Sequence, residues 1–113
     1  MFKVLSTFSL PKGTDPDEFW KYHTEVHARD FVKVAGPRLK KYTISRVKGV
    51  RVGKPNFFGV TETWFENEEV EKQVMGEVSK TILPNGKNIF EDFHSRVVNT
   101  SMVAVVVEEK VIV

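Results

Sequence analysis

Residues 15–37 read DPDEFWKYHTEVHARDFVKVAGP, and the signals in this stretch organise everything on either side of it. Asp15 has the short acceptor side chain that takes up the free amides of a helix start. Pro16 follows at the first helical position, and Glu18 completes capping-box spacing. Gly36-Pro37 stops the helix, because glycine accepts a left-handed backbone and proline cannot extend the hydrogen-bond ladder. One helix from Pro16 to about Ala35 is therefore predicted. On a wheel of about 100° per residue, Phe19, Trp20, Tyr22, Val26, Phe31 and Val34 share one half, and Lys21, Thr24, Glu25, Ala28, Arg29 and Val32 the other. His23, His27 and Asp30 fall inside the apolar half: His23 near its centre with Asp30 beside it, and His27 between Trp20 and Val34. Burying a polar side chain without a partner costs about 1–3 kcal/mol. Three such groups on one arc need partners, a ligand or a water-filled pocket.

Outward from this helix the chain alternates. Phe2–Leu10 is strand-like, with Phe2, Val4 and Phe8 on one face and Leu5 on the other. Leu39–Val50 and Phe57–Phe65 form a predicted antiparallel hairpin around Gly53-Lys54-Pro55-Asn56. Asn67 caps a second helix with Glu68, Glu69 and Glu71 in its first turn and Val70, Val74, Met75 and Val78 on its apolar side. A turn at Leu83–Lys87 precedes a short helix, Asn88–His94, and Val97–Val107 reads as the last strand. The order β-α-β-β-α-β is the ferredoxin-like split β-α-β pattern: an α+β fold, a four-stranded antiparallel sheet with helices on one face, in one domain over residues 1–113. Strand three carries Phe58, Val60 and Trp64 on one side and Phe57 and Phe65 on the other. The run from Met102 to Val107 does not alternate at all. Strands apolar on both faces are buried on both. The face without helices is accordingly expected to pack on a second copy as a twofold homodimer.

Composition narrows the classes. The chain has 113 residues, no cysteine and a net charge of +2. Disulfides and thiolate chemistry are thereby excluded, and a reducing cytoplasm is the expected location. Lys and Arg alternate with Asp and Glu, so nucleic acid is not an expected partner. The densest basic stretch, Arg38–Arg51, reads as a solvated strand pair with lysines guarding an edge. No segment approaches the ~20 apolar residues of a membrane span, and Met1–Leu10 reads as a strand, not a signal peptide.

The chemistry rests on the histidines. Imidazole titrates near neutrality and both accepts and donates protons, so His27 and His23 are the candidate acid/base groups. Trp20, Phe31, Trp64 and Asp30 are candidate walls of a pocket, and Tyr22 and Tyr42 candidate donors to a developing oxyanion. Glu62 shares a strand face with Phe58, Val60 and Trp64. If that face looks toward the helices, Glu62 orients a histidine; if it looks toward a second copy, it is an interface charge. The sequence leaves this open. His23 and His27 have a spacing that can clamp a metal, but Glu25 is misplaced for a zincin helix and a third ligand would have to come from Asp30 or Glu62. His94 reads as a surface residue near a pocket mouth. There is no phosphate-binding glycine loop, nucleophile elbow or dinucleotide fingerprint, so no metal and no organic cofactor is expected.

The run Pro16-Asp17-Glu18-Phe19-Trp20-Lys21-Tyr22-His23-Thr24-Glu25-Val26-His27 resembles the EthD family of dimeric α+β barrel proteins, with its acidic pair, its aromatic pair and a histidine at the position of His27. Lys41-Tyr42 is similar to the start of that family's second strand, and Glu62-Thr63-Trp64-Phe65 to its third. The resemblance implies ferredoxin-like subunits paired sheet to sheet, with a pocket between sheet and helices. It implies action on small cyclic or aromatic metabolites by lactone isomerases, polyketide dehydratases or cyclases, with His27 as the general acid/base. His23 is not a fixed feature of the family. Because the superfamily also contains cofactor-free oxygenases and haem-binding proteins, two alternatives accompany the isomerase or lyase expectation. One is a non-catalytic ligand-binding accessory protein of a degradation pathway. The other is haem binding or cofactor-free oxygenation.

Overall fold

The computed structural model describes all residues, Met1–Val113. Strand β1 (Phe2–Phe8) leads to a long helical rod made of α1 (Pro16–Tyr22), a π-helical turn (His23–His27) and α2 (Ala28–Ala35). Then come β2 (Leu39–Arg46), β3 (Gly59–Phe65), α3 (Glu68–Lys80), the short α4 (Ile89–His94) and β4 (Val103–Val107). The strands lie in the order β2-β3-β1-β4, all antiparallel, with the helices on one face. This is the ferredoxin-like α+β fold that the element order implies.

Local chemistry sets the helix ends. Asp15 Oδ1 accepts the Asp17 and Glu18 amides at 2.9 and 3.2 Å. The reciprocal capping box forms not here but at α4, between Asn88 and Glu91. Asn67 receives the Val70 amide at 2.9 Å. Gly36, at φ +57°, ends the rod in a backbone conformation that a side chain would strain.

The rod departs from a regular wheel. Its buried positions Phe19, His23, His27, Phe31 and Ala35 are spaced by a constant four residues. At 3.6 residues per turn each such step overshoots by about 40°, so the last would sit about 160° from the first. The π turn takes up most of that drift. The Ala28 N–H bonds the His23 carbonyl, five residues back, which takes one extra residue into the turn and returns the stripe to the sheet. Thr24 Oγ1 donates to the Trp20 carbonyl at 2.8 Å in the same stretch. Val26, on the apolar half of a regular wheel, is consequently 48% exposed.

The core has two parts. Phe31, Ala35, Phe65, Val74, Val78 and Ile89 form one, and Phe8, Phe19, Phe93 and Val97 the other. Phe8 lies over Gly59, its cross-strand partner, and a Cβ built there collides with the ring.

Several boundaries differ from the sequence expectation. β1 ends at Phe8; β2 ends at Arg46 and β3 begins at Gly59, because the loop between them reaches further into both flanks. Phe58 therefore escapes strand alternation and packs with Phe8 and Phe19 on the helix side. Residues 97–102 hold a 3-10 turn at Asn99–Ser101, and only Val103–Val107 is strand. In this chain β4 is not buried on both faces: Val103, Val105 and Val106 are 53, 43 and 62% exposed. β4 is an edge strand.

Candidate functional site

Strand alternation sends Val4, Ser6 and Phe8 of β1 and Thr61 and Thr63 of β3 toward the helices. Together with Tyr42 and Ala104 they floor a cavity of about 340 Å³ between sheet and helices. The rod supplies the roof, His23, His27 and Phe31, while α3 adds Glu71 and Met75 and α4 adds Phe90, Phe93 and His94. All the histidines of the chain line this one space. A broader dent of about 440 Å³ outside α3, lined only by Glu68, Glu69, Lys72 and Gln73, has no apolar wall.

The two rod histidines occupy different surroundings. His23 is 1% exposed, with the Phe8, Phe19, Phe93 and His27 rings at centroid distances of 5.5, 5.6, 4.9 and 5.6 Å. Its Nε2 is buried with no hydrogen-bond partner. Burial disfavours the imidazolium and lowers its pKa to about 4. His27 lies 4.5 Å from Phe93, and its pKa falls to about 3, by burial first and then by the neighbouring His23 and His94, with Asp92 opposing. No hydrogen bond holds either group charged, so both are neutral bases at pH 7. Tyr42 packs on Phe31 at 5.3 Å, and burial alone pushes its hydroxyl above the usual range, which keeps it a donor.

The structure gathers His23, His27, Phe31 and Tyr42 at the cavity and takes the other candidates elsewhere. Glu62 is on the opposite face of the sheet, 3.3 Å from Lys3 Nζ and accepting from Thr43 Oγ1 at 3.0 Å. It shares a strand with Thr61 and Thr63 but alternates away from them, so it orients neither histidine of its own subunit. Trp64 is on that same face, beneath the Lys3 and Lys41 ammonium groups, with its Nε1 donating to Glu109 at 2.9 Å. Trp20 stacks outside the cavity under the Arg46 guanidinium, which also binds Asp17. Tyr22 turns its hydroxyl to Asp92 at 2.7 Å, with Arg96 over its ring, so it is not a donor into the cavity. Asp30 is half-exposed and lies outside the lining. With Asp30 and Glu62 removed, no three His, Asp or Glu side chains converge in a metal-binding arrangement.

Other groups at or beside the cavity escaped sequence reasoning. Glu71 was read only as a first-turn carboxylate. Its place one turn before Met75, on the apolar side of α3, was the available signal. Ser6, Thr61 and Thr63 could have been found from strand register, as hydroxyls on a face otherwise apolar. Asp92, buried behind the cavity, had no sequence signal. Burial pushes its carboxyl up, but bonds from Tyr22 and Asn85 and the nearby Arg96 outweigh this and hold it below its usual value.

Similarity to known proteins lies in the fold. No protein-family model and no curated protein matches the chain. Among solved structures, an EthD family protein of Bacillus halodurans is 21% identical, with a TM-score of 0.70 over 97% of this chain and 100% of its own. A dimeric ferredoxin-like protein of unknown function from Thermobifida fusca is 16% identical, with a TM-score of 0.63 over 94% of this chain and 88% of its own. SnoaB of Streptomyces nogalater, a cofactor-independent oxygenase, is 11% identical, with a TM-score of 0.60 over 96% and 92%. This chain thus has the architecture of EthD and dimeric ferredoxin-like proteins. No helix is long and apolar enough to cross a membrane.

Proposed function

We propose that this chain is an EthD-type enzyme, an isomerase or lyase of small cyclic metabolites, in which neutral His27 moves a proton inside the cavity between sheet and helices. The observation that carries this is an imidazole on the wall of a 340 Å³ space with no hydrogen bond to keep it structural. The volume is at the low end of the ~300–1,000 Å³ usual for ligand sites, which suits a one- or two-ring molecule and argues against a haem.

The chemistry follows from what the walls offer. His27 takes a proton from carbon beside a carbonyl or lactone. The C–H pair moves into the carbonyl, and the negative charge gathers on oxygen, where the Tyr42 hydroxyl donates. The protonated His27 then returns the proton to another carbon, giving an isomer, or to a departing hydroxyl, giving a dehydrated product and water. The same first step opens cofactor-free oxygenation, the activity named for SnoaB.

His27→Gln is expected to lower the rate at least ~100-fold on a cyclic keto or lactone substrate, with the thermal transition retained. An unchanged rate removes His27 from the mechanism, and an oxygen electrode separates the two outcomes of proton removal. Because His27 has a pKa of about 3, kcat/KM should stay flat from pH 5 to 8, with no step near the ordinary histidine value.

The proposed working unit is a homodimer joined through the sheet faces that carry Leu5, Val60, Val103 and Val105. The exposed valines of β4 support this, as does the dimeric description of the Thermobifida fusca structure.

A further inference from the structure

The cavity is unusual in its charge. The chain has 17 lysines and arginines, yet none of the 16 residues lining the cavity is one of them. The only charged side chain in the lining is Glu71, half-buried on α3. Its carboxylate has no hydrogen bond and no ion pair in the protein. Lys72, the neighbouring cation, lies 3.4 Å from Glu68, and burial together with Glu68 pushes the Glu71 carboxyl up, with Lys72 opposing. His23 and His27, kept neutral by burial, do not supply the missing positive charge. From a pKa of about 3, pH 7 leaves about one His27 in ten thousand protonated.

We infer that Glu71 acts as the charge filter of this cavity, so that the ligand is an uncharged molecule bearing a hydroxyl and carboxylate ligands are turned away. This rests on the cavity being a ligand site, and it adds the class of ligand and the residue that selects it. A carboxylate entering this space loses its water, finds no cation and meets a like charge. A hydroxyl entering it can donate to Glu71 and exchange bonds with Ser6, Thr61, Thr63 and Tyr42 along the floor. Glu71 is a specificity-determining group here and takes no part in moving the proton.

Two fluorescent two-ring probes test this, 2-naphthol and 2-naphthoate, titrated into the full chain at pH 7.5. The wild type should bind 2-naphthol at least tenfold more tightly than 2-naphthoate. Glu71→Gln, which keeps the shape and removes the charge, should close at least a threefold part of that gap by improving 2-naphthoate. Its melting temperature should not fall, since Glu71 has no ion pair to lose. Equal or tighter binding of 2-naphthoate by the wild type overturns the filter while leaving the cavity a ligand site. A gap unchanged in Glu71→Gln overturns the role of Glu71. Failure of both probes to bind at millimolar concentration overturns the ligand site and the filter together.

Discussion

His23 sits in a cage of aromatic rings with one nitrogen bonded to nothing, and this has two consequences for stability. First, an unpaired buried polar atom costs about 1–3 kcal/mol. His23→Phe, which fits an aromatic cage, is therefore expected to raise the unfolding free energy by about 1 kcal/mol in urea titrations. A loss of stability would show that the nitrogen has a partner after all. Second, His23 and His27 link folding to pH. The unfolded chain takes these protons near the ordinary value of 6.5, whereas the folded chain resists them down to about 4 and about 3. The unfolded state binds more protons in between, so the stability both histidines add is complete above 6.5 and is lost as pH falls toward 4. Each unit of pH in that window costs roughly 1 kcal/mol per histidine. Denaturation at pH 6.0 and 5.0 should show this slope, roughly halved in His27→Gln; equal slopes would mean His27 titrates normally in the fold.

At the scale of elements, the π turn and the β1–β3 pair position the site. The π turn keeps the whole stripe Phe19, His23, His27, Phe31 and Ala35 against the sheet, so the residues on either side of the two imidazoles stay buried with them. A wheel of fixed pitch does not show the π turn. That wheel placed both histidines inward but also placed Val26 inward and brought Trp20 and Tyr22 with them. The strand pair depends on Gly59, whose missing side chain admits the Phe8 ring that closes one end of the cavity and packs on His23. Gly59→Ala must displace that ring or bend the strand, and overpacking of this kind costs about 1–3 kcal/mol. A melting temperature within one degree of the wild type would contradict the close packing seen here.

For the whole molecule, the face without helices carries Leu5, Val60, Val103 and Val105 beside a charged network of Lys3, Glu62 and Glu109. Sheet-to-sheet pairing would bury those side chains and cover β4, an edge strand whose exposed valines otherwise invite non-specific association. Light scattering at micromolar concentration should give twice the subunit mass, and Val105→Glu should give the monomer with its circular dichroism retained. A wild-type monomer defeats the dimer. In such an assembly Glu62 is an interface charge, the second of the two roles that its strand position allows.

By itself the sequence determined the element order, the helix ends at Asp15, Gly36 and Asn67, and the presence of ionisable groups on an apolar helix face. These are local matters, fixed by backbone chemistry and by the spacing of apolar residues within a few turns. Tertiary structure alone decided which groups meet. The direction of Glu62 and Trp64 depends on which sheet face the helices cover, and one step of strand alternation separates the cavity from the opposite side. The commitment of Tyr22 to Asp92 and the arrival of Glu71 and His94 at the cavity of His27 join residues from distant parts of the chain. No local pattern encodes such contacts, because they arise only when separate elements pack.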